Sequence, residues 1–170
     1  MENPVNLDFV TDIFTWLAQT AASADPWQQG GVLLLAGAIP FIESYLGSFL
    51  GVIVGVPPAL AVAAAVVGNI ISTFLVIATA SGIRDAATKN RASKRELTPR
   101  QQKIEKYLNR FGVPGVCLLG PLVVASQITA PALVALGAKR SSVYLFQTIS
   151  IIAWGVLFGF FGDVVVNWFM

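Results

Sequence analysis

The sequence predicts an all-α integral membrane protein. It has two inverted repeats, each a re-entrant helical hairpin followed by a transmembrane helix, plus amphipathic helices at the membrane surface. Three observations predict it: charge is scarce, it is absent over long runs, and the basic residues gather in one block. Of 170 residues, 55% are hydrophobic and only 12% charged, with mean hydropathy +0.72. Soluble domains carry about 25% charged residues, because charge keeps a surface wetted. The chain has no histidine, which removes the commonest near-neutral acid–base group and the commonest metal ligand. Its single cysteine, Cys117, excludes an internal disulfide and a thiolate metal cage. No metal, no cofactor and no enzymatic activity are expected.

Uncharged runs cover 26–42, 44–83, 111–138 and 141–162. A helix crossing a hydrocarbon core of about 30 Å needs roughly 20 apolar residues, so these runs hold about five spans' worth of chain. One acid, Glu43, interrupts them. Residues 1–27 form an N-terminal segment with no basic residue and no apolar leader, so no cleavable signal is expected. Within it Asp8, Asp12, Thr15 and Gln19 recur at helical period, opposite Phe9, Val10, Ile13, Phe14 and Leu17. That pattern fits a helix lying at the membrane interface or one packed on the protein's own helices.

Nine of the eleven Lys and Arg lie in 84–110, against three acids. The positive-inside rule makes this loop cytoplasmic, in a plasma (inner) membrane with both termini outside. Anionic lipid headgroups account for such a juxtamembrane cluster, and no nucleic acid is expected as a partner. Inside the loop, Thr98-Pro99-Arg100-Gln101 reads as a helix start. The helix should run over 99–111 and stop at Gly112, with Ile104, Tyr107, Leu108 and Phe111 on one face.

Residues 28–83 and 111–170 share an order of elements. In the first, Pro40 and Glu43 break an apolar run before Pro57-Pro58 and a clean span to 82. In the second, Gly120, Pro121 and Pro131 break the run before a span over 141–162. Arg110 and Lys139-Arg140 flank a stretch too short for two full spans, so it enters and returns from the cytoplasm. One long kinked span is the alternative. Hairpins entering from opposite faces would be inverted repeats, and broken segments at matching positions of two halves point to a transport site at the midplane.

The candidate residues follow from that placement. No Lys, Arg or His lies in 26–83 or 111–138, so Glu43 is an intramembrane acid suited to carrying a proton or holding a cation. Pro40 and Ser44 sit beside it. Asn69, Ser126, Gln127 and Thr129 offer uncharged hydrogen bonds, though small polar residues also join membrane helices. Gln147 and Thr148 carry a weaker signal. Gly47, Gly51 and Gly55, and Gly155 and Gly159, form ridges for close helix packing. A chain this short leaves little room for a cavity, which points to a homo-oligomer.

The run from Gly37 to Ser44 (GAIPFIES), the Gly55-Val56-Pro57-Pro58 turn, Val67-Gly68-Asn69 and Ser126-Gln127-Ile128-Thr129 resemble the small multi-drug export proteins. That family is in turn similar to the larger DedA/VTT membrane proteins. The resemblance covers roughly 30–162 and implies two opposed re-entrant hairpins. The family name implies export, and with Glu43 the expected function is a small proton-linked transporter exporting a small or amphiphilic substrate. Alternatively, the resemblance implies a flippase or scramblase of lipid phosphates such as polyprenyl phosphate or phospholipid. The DedA proteins bear an acid in the first hairpin, matched here by Glu43, and arginines in the second. This sequence has none there, with Gln127 near the expected place.

Overall fold

The structure, a computed structural model, describes residues 7–88 and 99–169. Among these, all regular structure is helical: α1 (Leu7–Ser23), α2 (Pro26–Ala38), α3 (Glu43–Ile53), α4 (Pro58–Thr88), α5 (Pro99–Leu119), α6 (Ser126–Ala135) and α7 (Arg140–Phe169). A 3-10 turn at Gly120–Leu122 joins α5 to α6. The predicted cap at Thr98 and the centre of the basic loop lie outside the described residues. Two compact units divide the chain, one running to Ile70 and resuming at Ile151, the other Ile71–Ser150. The division cuts α4 and α7, so each unit holds one hairpin and part of each long helix.

In the first unit, Pro26 opens α2, where its missing N–H costs nothing. The Asp25 N–H is taken up by Gln28 Oε1 at 3.1 Å. α1 packs on the hairpin that follows: Leu17 and Ala21 share a core with Leu33, Ala36, Ile42 and Leu50. Asp8, Asp12, Thr15 and Gln19 are exposed. Phe9, on the apolar side, is 60% exposed.

Missing side chains set the helix crossings of this unit. Gly47 lies against Gly37 and Ala36, and Gly51 against Leu33. One number rises as the other falls, so α2 and α3 form an antiparallel hairpin. Gly37 also faces the backbone of Ala65, and Gly68 that of Leu34, which brings α2 and α4 together main chain to main chain. Gly155 packs on Val66 and Gly159 on Val62, so α7 runs antiparallel to α4 here. Gly55 differs from the expected packing ridge. It has φ +86° and no neighbour to pack on, and it ends α3. Gly55 N–H donates to Val52 O and Val56 N–H to Gly51 O, the Schellman pattern that needs a left-handed residue.

The second unit ends its hairpin the same way. Gly137, at φ +101°, donates to Val134 O while Ala138 N–H donates to Leu133 O. In each half the next long helix starts three residues after that glycine. α5 is bent at Gly112 (φ 66°, ψ −178°), the position where a stop is predicted. Ile104, Val116 and Cys117 of α5 share a core with Ile77, Ala130, Leu133, Val134 and Val143. Tyr107 and Phe111 of the same predicted face are 40% and 44% exposed, with their rings stacked at 6.3 Å. Pro131, read as a breaker, lies inside α6 without ending it. A proline removes the bond to the carbonyl four residues back and crowds that carbonyl, here that of Gln127, and α6 continues past it.

Two helical stretches, Pro58–Ala80 and Arg140–Gly162, are long and apolar enough to cross a membrane. At 1.5 Å per residue, 23 residues reach about 35 Å. Only 39% and 33% of their apolar windows are buried within the chain. Leu60, Val67, Ile71 and Leu75 form an exposed apolar stripe on α4, as Leu145, Ile149, Ile152, Val156 and Phe160 do on α7. Their buried faces carry Asn69, Thr73, Gln147 and Ser150. Leaving one large aliphatic side chain in water costs about 1.5–3 kcal/mol, so this inside-out arrangement suits hydrocarbon surroundings.

Candidate functional site

The first polar cluster is built on the turn between α2 and α3. Pro40 cannot extend α2 and holds Ile39 extended (φ −80°, ψ 127°). The chain then reverses through Phe41 (φ 71°) and Glu43 (φ 53°), the two non-glycine residues with positive φ among those described. Such a conformation costs about 1–3 kcal/mol per residue and persists only where surrounding structure enforces it. Here the enforcement is visible. Ile42 and Glu43 N–H both donate to Ile39 O, and Tyr45 Oη donates to Phe41 O at 2.9 Å. Ser44 Oγ donates to Ile151 O of α7 at 2.8 Å, and the Tyr45 ring meets Phe158 edge-on at 5.4 Å.

The result is a carboxyl held inside. Glu43 is 1% exposed, although it opens a helix in a turn whose Pro40 is exposed. Ser44 spends its hydroxyl on the α7 backbone, which makes it a clamp on the turn. Asn69, on α4 in the same unit, is fully buried. Ser48, one turn along α3 from Ser44, is also fully buried, and among the described residues its hydroxyl meets no hydrogen-bond partner.

The second cluster lies at the start of α6. Gln127 Nε2 donates to Ser72 Oγ at 3.1 Å, and Ser126 Oγ donates to Gln127 Oε1 at 3.3 Å. Thr73 Oγ1 and Ser126 Oγ lie 3.3 Å apart. Either hydroxyl can donate to the other. A hydrogen-bonded chain thus links Thr73, Ser126, Gln127 and Ser72, and each bond in such a chain polarises the next. Thr129 turns away from it, donating to Val124 O at 3.2 Å, and its methyl supports Gly120. Pro121 is buried in the 3-10 turn.

Sequence reasoning placed Ser126, Gln127 and Thr129 on one hairpin, and the structure joins the first two in a network. It missed Ser48, Ser72, Thr73 and Ser150. The signal for two of them was available, since Asn69, Ser72 and Thr73 follow i, i+3, i+4 spacing in an otherwise apolar span. Among the described residues no group of three or more His, Cys, Asp or Glu gathers to hold a metal. Cys117 is buried and unbridged.

Comparison with protein-family models, with curated proteins and with solved structures finds no match to this chain.

Proposed function

We propose that this protein is a small multi-pass membrane transporter, not an enzyme. It exports a small or amphiphilic substrate, with Glu43 carrying the coupling proton or holding a cationic group. The observation that carries this reading is the turn at Phe41–Glu43. Two residues in a costly backbone conformation hold a carboxyl inside a chain whose long helices are apolar outward. Strain of this kind collects at functional sites, and a buried intramembrane acid marks an ion or proton path. The second unit carries its own uncharged hydrogen-bonding groups, Thr73, Ser126, Gln127 and Ser72.

The two halves are read as inverted repeats with re-entrant hairpins. Three features support this: the matched order of hairpin, glycine cap and long helix, the shared spacing after Gly55 and Gly137, and the resemblance to the small multi-drug export and DedA/VTT families. The basic loop is assigned to the cytoplasmic face of the plasma membrane, and the working unit to a homo-oligomer.

The resemblance to DedA proteins also favours a second reading, a flippase or scramblase of lipid phosphates. A phosphate is best held by Arg or Lys, and 111–138 contains neither. The test is made in proteoliposomes with wild type and Glu43→Gln. One arm follows an amphiphilic cation and the other a fluorescent lipid phosphate, each with and without a pH gradient. Gradient-dependent cation movement lost in Glu43→Gln supports the exporter. Lipid movement that needs Glu43 replaces it with the translocase. Cation transport unchanged in a folded Glu43→Gln protein refutes the role given to this carboxyl.

A further inference from the structure

Gln147 and Ser150 stand one turn apart on the buried face of α7, and neither has exposed surface. Among the described residues, Gln147 Nε2, Gln147 Oε1 and Ser150 Oγ meet no hydrogen-bond partner. A buried amide left unsatisfied at both ends is costly, and native structures rarely keep one without a reason. Two other glutamines of this chain use their amides: Gln127 bonds at both ends and Gln29 Nε2 reaches Ala21 O.

Gln147 and Ser150 belong to the second unit. In that unit the bonds of Ser126 and Gln127 to Thr73 and Ser72 set the start of α6 beside this stretch of α4. Ile77, Ala130 and Val143 share one core. Gln147 stands one turn past Val143 on α7. Any ligand there must serve a donor and an acceptor together. A cation would suit Oε1 and Ser150 Oγ but face the amide protons of Nε2. An anion would suit Nε2 and repel Oε1. A neutral O–H group accepts from Nε2 and donates to Oε1 or Oγ.

We infer that Gln147 and Ser150 form a binding station for a neutral hydroxyl group, either ordered water or the hydroxyl of a small solute. The solute form rests on the transporter reading above, and the water form stands without it. Such a site is polar and offers the two or more partners that a buried water requires.

The test uses the full chain in lipid bilayers with glutamine labelled in the side-chain amide. Magnetisation transfer from water is read by solid-state NMR, and the Gln147 signal is assigned by its loss in Gln147→Leu. The expected result is a water cross-peak to Gln147 that weakens in Ser150→Ala while the other glutamine signals stay in place. Glycerol is then added as the hydroxyl probe. A shift of the Gln147 resonance with loss of the water peak assigns a solute hydroxyl, whereas an unchanged peak assigns water. A Gln147 amide with no water transfer and no response to glycerol overturns the inference. If Gln147→Leu does not fold, the signal is assigned by sequential labelling, and Ser150→Ala carries the test. No transport is measured, so a dry Gln147 in an active protein refutes this station alone. A wet Gln147 in an inactive protein refutes only the transporter.

Discussion

The crossing of α2 and α4 can be broken by one methyl group. A Cβ added at Gly68 would overlap the Leu34 carbonyl and stand 2.8 Å from its carbon. One added at Gly37 would overlap the Ala65 carbonyl and stand 2.7 Å from its carbon. Ordinary contacts begin near 3.4 Å, and a backbone carbonyl has no rotamer by which to step aside. Either helix must therefore shift by a sizeable fraction of an ångström, and overpacking of this kind costs about 1–3 kcal/mol. Gly37→Ala and Gly68→Ala should each sit at the upper end, lowering Tm by roughly 4–12 °C. Both methyls push the same pair of helices apart, so the double variant should lose less than the sum of the two. Gly30→Ala and Gly31→Ala are the internal controls. They lie in α2 with nothing within 4 Å, and should gain up to about 1 kcal/mol in helix propensity. Thermal unfolding of the purified protein in mild detergent reads all five variants. If Gly37→Ala and Gly68→Ala behave like Gly30→Ala, then α2 and α4 do not touch backbone to backbone.

Four further outcomes are expected. Gly55→Ala and Gly137→Ala, at φ +86° and +101°, should each destabilise by about 1–2 kcal/mol; Gly→Asn at the same positions should cost less, as thermal unfolding will show. Ser44→Ala removes the bond to Ile151 O and should cost about 1 kcal/mol, with a drop in transport from the loosened turn that exceeds the drop in Tm. Glu43→Gln keeps size and shape, so insertion and Tm should hold while gradient-driven uptake into vesicles is lost. Pro131→Ala restores an N–H aimed at the Gln127 carbonyl and should raise Tm, and unchanged transport in that variant would show that the Gln127 carbonyl has no part in the cycle.

Composition and charge gaps were enough to predict the helical class, the two long apolar helices and the breaks at Pro40 and Gly112. These are local properties: proline lacks an N–H, glycine tolerates φ near +66°, and an uncharged run of sufficient length has few alternatives to helix. Glu43, Ser126 and Gln127 stood out for the same reason, as polar groups in apolar stretches. Partners were not legible. That Gly55 caps a helix while Gly47 and Gly51 pack depends on what lies across the contact, and a G-x3-G-x3-G spacing looks the same in either case. That Pro131 sits inside α6 depends on a neighbourhood that tolerates one lost bond. Ser72 and Thr73 joined the network only when α6 was laid beside α4, and Gln147, a weak signal in sequence, stood out with Ser150 only when the packing of α7 buried both. The sequence by itself determined the helical class and the break at Pro40, because those choices are settled within a few residues. The tertiary structure alone decided which polar groups meet and that Glu43 is held inward in a left-handed turn, because both depend on residues distant along the chain.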